Sequence, residues 1–582
     1  MARVTMGQRR ASIDPLKHSP ALGGTMAFLG LDRCIPLVHG SQGCAAFAKA
    51  LLTRHFREPI PLQTTAITQL SAVLGSSGLL TEALDTITAR QQPDIVGVLT
   101  TSLTEASGDD SAATVSQYMA SRSCTDTTPV IHVSTPDFTG GLQDGWASAV
   151  EAIVGAFAEP GPPVDGQVNL LTGPALSPLD VEELRLLMEA FGLDAVVLPD
   201  LAGSLDGHLD DHWSALTTGG TTLADLRRIG SSRATIVAGA GVAGAGSLVE
   251  ARCGIPPHLY PRLSGLGPVD ALVADLAEIS GRAVPEGVRR WRRRLADGLL
   301  DTHFVLGGAR VALALEPDLL YAVGSLLTEV GAEVVTAVAP TSAHVLGDLP
   351  CDEVVVGDLA HFDEMAADAG AQLVVGSSHA RPVAERIGAS HLCMGFPVYD
   401  RLGPQLRLTA GYRGSLELLI DAANCMLHGP ETRHAGRPFG RARGDRLPDR
   451  VPGRRTGSLQ DRLPDRRTGS LQDRLPDRRA DSLQDRLPDR RTGSLQDRLP
   501  DRRAGSLQDR LPDRRTGSLQ DRLPDRRTGS LQDRLPDRRT DSLQDRLPDR
   551  RTDSLQDRSP HRRSGRSHVG QPSTTEDSSC CG

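Results

Sequence analysis

Pro36-Leu-Val-His39-Gly40-Ser41-Gln42-Gly43-Cys44-Ala-Ala-Phe-Ala-Lys-Ala-Leu-Leu-Thr-Arg54-His55-Phe56-Arg57 fixes the reading of this 582-residue chain. An apolar run, Ile35 to Val38, ends in a turn with two glycines, and an alanine-rich helical pattern begins at about Cys44. Strand, tight turn, helix is the opening of a parallel β-α unit. Cys44 then stands at a helix N-terminus. Exposed amides there carry partial positive charge and favour a thiolate, the form that binds soft metals. The spacing leaves two readings open. In one, Cys44 is a metal ligand. In the other it is a buried cysteine acting as a small hydrophobe. Cys34 lies on the far side of the strand and no Cys-x-x-Cys pair adjoins it, so an iron-sulfur cubane, which wants about four thiolates, must find its other ligands elsewhere.

The same rhythm continues outward. A helix near Gly78 to Arg90, a strand Asp94 to Thr100, a helix near Asp110 to Arg122 and a strand Pro129 to Ser134 come next. Crossovers of this length predict a parallel sheet covered on both faces, with sites gathered at the carboxyl ends of the strands. Thr100 and the turn before Cys44 both fall there. After the linker Glu159-Pro-Gly-Pro-Pro163, a second unit has strands at 168–172, 195–199 and 234–238 and a helix starting at Ser177. A third has strands at 310–315, 333–338, 353–356 and 372–376 and closes with a helix at 411–427. The expected architecture is α/β: a mobile N-terminal arm at 1–20, three Rossmann-like parallel-sheet domains at 21–165, 166–305 and 306–440, and a disordered tail at 441–582.

Three local patterns have a bland reading beside the functional one. Gly239-Ala-Gly241-Val-Ala-Gly244 is a literal G-x-G-x-x-G behind a strand, but its first downstream acid, Glu250, comes too early for a ribose contact. A close strand-to-helix turn explains it. The basic segment Val288 to Leu295 offers a docking face for an acidic partner, but reads more simply as a solvated helix face linking two domains. Ser377, Ser378 and His379 come directly after a strand, yet adjacent residues cannot form a nucleophile-base pair, and no G-x-S-x-G elbow is present.

Charge divides the chain. Residues 1–440 hold 30 Lys and Arg against 48 Asp and Glu, and residues 441–582 hold 34 against 24. An acidic body argues against nucleic acid as a partner. Nine cysteines without a regular framework fit a reducing cytoplasm. The first 20 residues lack the apolar core of a signal peptide, and no run approaches the roughly 18 apolar residues of a membrane span. In the tail, Leu-Gln-Asp-Arg recurs nine times at a spacing of 12 residues between 459 and 558. Each unit offers two leucines among many charges, too little apolar surface to offset ordering entropy. Cys580 and Cys581, at its end, receive no role.

His39-Gly-Ser-Gln-Gly-Cys44, Thr53-Arg-His-Phe-Arg-Glu-Pro59, Thr100-Thr-Ser-Leu-Thr-Glu105 with Gly108-Asp-Asp110, and Gly395-Phe-Pro-Val-Tyr-Asp-Arg401 together resemble the nitrogenase component 1 family. The resemblance spans about residues 15–430. It is nearest to the β-like subunits of the scaffold that matures the iron-molybdenum cofactor. In the catalytic β subunit three cysteines hold the P-cluster; one aligns with Cys44, while the other two fall at Leu62 and Ser102. The resemblance therefore implies a scaffold subunit, not a catalytic chain, with Cys44 as the cofactor-binding and metal-ligating residue and no catalytic residue.

It further implies a [4Fe-4S] cluster shared with an α-like scaffold subunit in an α2β2 heterotetramer. A cofactor precursor is held mainly by that partner and matured before transfer to apo-nitrogenase. Transient contacts are implied with the nitrogenase Fe protein and with precursor donor and carrier proteins. The rival readings are a catalytic oxidoreductase subunit, of nitrogenase or of dark-operative protochlorophyllide reductase, and a nucleotide-binding protein working through Gly239 to Gly244.

Overall fold

The computed structural model describes residues 1–7, 12–122, 128–209 and 214–429. Its strands are β1 (Arg3–Met6), β2 (Cys34–His39), β3 (Gln63–Thr64), β4 (Ile95–Thr100), β5 (Val130–Val133), β6 (Gln167–Thr172), β7 (Asp194–Leu198), β8 (Thr235–Ala238), β9 (Pro257–Tyr260), β10 (Arg310–Ala314), β11 (Glu333–Ala339), β12 (Glu353–Val356), β13 (Leu373–Gly376) and β14 (Ser390–Cys393). They form three sheets, in the orders β3-β2-β4-β5, β7-β6-β8-β9 and β1-β12-β11-β10-β13-β14. Every strand pair among the described residues is parallel. β2, β4 and β6 are buried along their whole length, which is why they read as apolar runs without alternation.

Of residues 1–20, expected as a mobile arm, the described ones, 1–7 and 12–20, are built into the fold. Arg3 to Met6 pair in register with Glu353 to Val356, so the chain's start is the edge strand of the third sheet. The Ile13 N–H donates to Asp358 at 2.7 Å, the Leu359 N–H to the Asp14 carbonyl at 2.9 Å, and Lys17 to the Asp137 carbonyl at 2.7 Å. Backbone pairing outweighs the polar composition of this stretch. The repeat tail expected to be disordered, and Cys124, Cys580 and Cys581, lie outside the described residues.

Ser19 caps the helix Pro20–Leu29 by accepting from the Leu22 N–H at 3.2 Å, and Pro20 sits in its first turn. All ten helix residues are buried. The helix runs against Leu142–Phe157 at backbone contact: a Cβ on Gly23 would lie 1.8 Å from the Leu142 carbonyl oxygen, and one on Gly145 equally close to that of Pro20. Trp146, buried on the second helix, donates from Nε1 to the Thr172 carbonyl at the end of β6 at 2.8 Å, tying the first sheet's cover to the second sheet.

One carboxylate joins all three sheets. Asp318, in the first turn of the helix Pro317–Glu329, accepts from Gln143 Nε2 at 2.9 Å through Oδ1 and from the Gly241 N–H at 2.8 Å through Oδ2. Its own N–H donates to Gln143 Oε1 at 2.9 Å. This contact also accounts for the G-x-G-x-x-G stretch. A Cβ on Gly239, whose φ is +127°, would come within 3.0 Å of Asp318 Oδ2, so the anion that the glycine-rich turn cradles is the chain's own side chain. The basic stretch at 288–295 lies on the helix Glu286–Leu306 and is matched internally, with Arg292 paired to Asp270 at 2.7 Å and Arg293 to Glu286 at 2.7 Å.

Burial pushes the Asp318 carboxyl up to about 6, against the opposing hydrogen bond from Gly241. Removing it strands two buried donors. Asp318→Ala should therefore cost roughly 2–4 kcal/mol in denaturant unfolding. Because this carboxyl binds its proton more tightly folded than unfolded, its contribution makes stability fall as pH rises from about 4 to about 6. Asp318→Asn should lose that part of the slope, read as unfolding free energy against pH.

Candidate metal centre

Cys44 stands at the third position of the helix Gln42–Phe56, one turn beyond the carboxyl end of β2. Ser41 precedes the helix in extended conformation. Its Oγ does not cap the helix and lies 3.4 Å from Cys44 Sγ, while the Cys44 N–H donates to the Ser41 carbonyl at 3.2 Å. The thiol is exposed. Beside it opens a cavity of about 270 Å³, walled by Lys17, His18, Phe47, Thr101 and Asp137. Phe47, one turn along the helix, is 76% exposed, and Phe138, next to Asp137, is 69% exposed.

The other described cysteines are built differently. Cys34 is fully buried in β2, and burial pushes its thiol well above the usual range. Burial raises Cys393 to about 11, assisted by the charge of Asp400, and Cys351 to about 11 as well. Cys253 is shifted upward by burial. Among the described residues, Cys44 is the exposed cysteine, and no three His, Cys, Asp or Glu side chains converge as a metal site. The arrangement fits one external ligand group: a thiol free of core packing, at the positive end of a helix dipole, reachable by groups from another chain.

The separated sequence matches meet in space. Thr101 and Thr104 direct their hydroxyls onto the His39 carbonyl at 3.2 and 3.4 Å, joining the ends of β2 and β4. A Cβ on Gly40 would strike Thr101 Cγ2 at 2.5 Å, so only glycine fits this approach. Behind the turn, Ser76 donates its hydroxyl to Asp109 and lies 3.1 Å from His39 Nε2, and His39 Nδ1 lies 3.1 Å from the Thr65 hydroxyl. Burial holds the imidazole down at about 4, so it is neutral at pH 7.

Farther along, the Val398 N–H donates to His55 Nδ1 at 2.9 Å, Arg57 reaches the Tyr399 carbonyl at 2.8 Å, and Arg54 lies over the Tyr399 ring at 3.9 Å. The 53–59 and 395–401 stretches thereby form one wall of a second cavity, of about 480 Å³, between the sheets.

Leu62 is buried in a core that the first and second sheets share. Ser102 heads the short helix Ser102–Ser107, where its hydroxyl donates to Asp137 Oδ2 at 3.0 Å and accepts from the Asp137 N–H at 2.8 Å. Ser378 donates to Asp400 and accepts from the Tyr399 N–H at 2.9 Å, while His379 packs on the rings of His18 and Tyr399. No nucleophile-base pair exists at Ser377 to His379. The sequence alone isolates Cys44, and its matching stretches include His39 and Asp109. It does not reveal Ser76 and Thr65, which carry no signal of their own in a chain rich in serine and threonine.

The described residues form three parallel-stranded sheets in an α/β fold, with Cys44 the exposed cysteine among them, and comparison with known proteins gives the class. The profile described as nitrogenase component 1 type oxidoreductase matches residues 19–427. The chain belongs to that family. It is 42% identical over 433 residues to the nitrogenase iron-molybdenum cofactor biosynthesis protein NifN of Nostoc sp. (strain PCC 7120), covering 74% of this chain and 97% of the relative. It is 42% identical over 460 residues to NifN of Rhodobacter capsulatus, covering 78% and 99%. Among solved structures, a chain of "Nitrogenase Cp1 at pH 6.5" superposes with a TM-score of 0.68 at 28% identity, covering 73% of this chain and 95% of that one. The α/β fold of parallel sheets expected from the alternation of strands and helices is the fold found.

Alkylation of the isolated, reduced chain should track exposure: iodoacetamide mapped by mass spectrometry should modify Cys44 before Cys393 and Cys393 no later than Cys34. Gly40→Ala, which forces a methyl against Thr101, should cost about 1–3 kcal/mol in unfolding free energy.

Proposed function

We propose that this chain is the β-like subunit of the scaffold on which the nitrogenase iron-molybdenum cofactor precursor is matured before transfer to apo-nitrogenase. It pairs with an α-like subunit in a heterotetramer, and Cys44 is its ligand to a [4Fe-4S] cluster shared across the interface. The observation that carries this reading is the isolation of Cys44: an exposed thiol at a helix N-terminus, with no second ligand converging on it among the described residues. Relatives named for iron-molybdenum cofactor biosynthesis align along nearly their whole length. Leu62 and Ser102 stand where the resemblance places the remaining P-cluster cysteines of a catalytic β subunit, which favours the scaffold over the oxidoreductase.

Bound at this surface, the cluster would supply one-electron transfer. This chain's own work is to hold a thiolate outward on a rigid turn and to present apolar surface around it. Phe47 and Phe138 would be covered by the partner, excluding water from the thiolate. The precursor is held mainly by the α-like subunit, and the nitrogenase Fe protein and the precursor donor and carrier proteins meet the assembled complex. We place this work in the cytoplasm; among the described residues no helix is long and apolar enough to cross a membrane.

Co-expression with the α-like partner, followed by iron quantitation and electron paramagnetic resonance of the purified complex, tests the reading. Cys44→Ala should remove most of the interface-cluster signal, and Cys253→Ala should leave it intact. Equal losses, or none in either variant, would contradict the assignment.

A further inference from the structure

The Cys44 turn is held by a hydrogen-bond chain that runs in one direction. The Gly40 N–H donates to Thr65 Oγ at 3.2 Å. The Thr65 hydroxyl then serves His39 Nδ1 at 3.1 Å, and His39 Nε2 serves Ser76 Oγ at 3.1 Å. Ser76 gives its proton to Asp109. Since the Ser76 hydrogen is committed to Asp109, Nε2 must be the protonated imidazole nitrogen and Nδ1 the acceptor; this assignment is dictated by the network. The shortest path thus runs from the Gly40 N–H toward the Asp109 carboxylate, with the Thr65 hydroxyl also lying 3.5 Å from the Gly40 carbonyl. Aligned bonds ending on a charge polarise and strengthen one another in a low-dielectric interior.

The two peptides that flank Gly40 are held from other sides as well. The Gly40 carbonyl accepts from the Ile67 N–H at 2.9 Å and from the Thr64 hydroxyl at 3.3 Å, and the His39 carbonyl accepts from Thr101 and Thr104. His39 is completely buried and both ring nitrogens are used. A core position filled by packing alone would be met by an apolar side chain without this desolvation cost. Further along the same turn, with Ser41 tied to the Cys44 N–H and touching its sulfur, lies the thiol itself.

We propose that His39 is a positioning residue for the Cys44 thiolate: the Asp109–Ser76–His39–Thr65 chain fixes the Gly40 turn, and through it the orientation of the one ligand this subunit contributes to the shared cluster. This rests on the cluster reading given above and adds residues to it that touch neither sulfur nor iron. A ligand fixed on a rigid turn binds without an ordering cost, and partners that orient metal ligands typically hold about tenfold or more in metal affinity.

The test uses the complete complex with its α-like partner. His39→Leu, Thr65→Val and Ser76→Ala are compared with the unaltered complex and with Cys44→Ala. The readouts are subunit stoichiometry by native mass spectrometry, the resonance spectrum of the reduced cluster, its midpoint potential, and the rate at which a chelator such as bathophenanthroline removes iron. His39→Leu and Thr65→Val should assemble normally, shift the spectrum and potential, and lose iron about tenfold faster. His39→Asn, which can return an acceptor near Nδ1 to Thr65, should recover most of the original spectrum.

Unchanged spectrum, potential and chelation rate in His39→Leu, alongside loss of the cluster in Cys44→Ala, would overturn the positioning role alone. Iron retained in Cys44→Ala would overturn the cluster reading itself. If His39→Leu does not assemble, Thr65→Val and Ser76→Ala decide: a spectral shift in an intact complex supports the role, and an unaltered spectrum in both rejects it.

Discussion

The buried carboxylate of Asp318 is the contact on which the arrangement of the three sheets depends. It takes one hydrogen bond from a glutamine on the first sheet's covering helix and one from a backbone amide in the second sheet's glycine-rich turn, and it sits on the first helix of the third. A charge or acid at this depth is tolerated only because each oxygen has a donor. Neighbouring Glu316, pushed up to about 8 by burial and by the charge of Asp144, adds to the cost of keeping acids here. The chain accepts that cost at the point where its three layers meet. Within the first sheet, β2 and β4 pair along their whole length, which brings their carboxyl ends together and gives the turn that carries Cys44 a defined place.

The logic of the site is exposure on a rigid base. Most cysteines among the described residues are drawn into packing, and burial keeps Cys34, Cys351 and Cys393 as protonated thiols. Cys44 differs in facing outward on a helix whose preceding turn is pinned from several directions. Its surroundings, with Phe47 and Phe138 exposed, form a surface that a second polypeptide would cover. On the function proposed above, a single thiol of this kind belongs to a shared centre and not to a private one.

Much of this was legible in the residues because the relevant signals are local. Buried parallel strands announce themselves as apolar runs, and the break from Val38 through two glycines to an alanine-rich helix fixes the place of Cys44. The resemblance rested on short stretches that proved to meet in space, Thr101 on His39 and Val398 on His55. What stayed hidden is nonlocal. Arg3 to Met6 form a strand only because β12 offers an edge some 350 residues away, and nothing within a short polar stretch encodes that. The helix Pro20–Leu29 is buried all round, so it shows no amphipathic period. The glycine-rich turn resembled a nucleotide site because the side chain that fills it, Asp318, comes from a helix far along the chain. Ser76 and Thr65 became meaningful only when the fold set them against His39.

The most direct measurement of the central claim is an iron and spectroscopic comparison of three anaerobically reconstituted samples: this chain by itself, the α-like subunit by itself, and the two together. The account predicts a complete, stoichiometric [4Fe-4S] centre at this surface in the joint sample alone. A full cubane held by the isolated chain, or one bound just as completely by the α-like subunit without it, would contradict the claim that Cys44 completes a centre shared between two polypeptides.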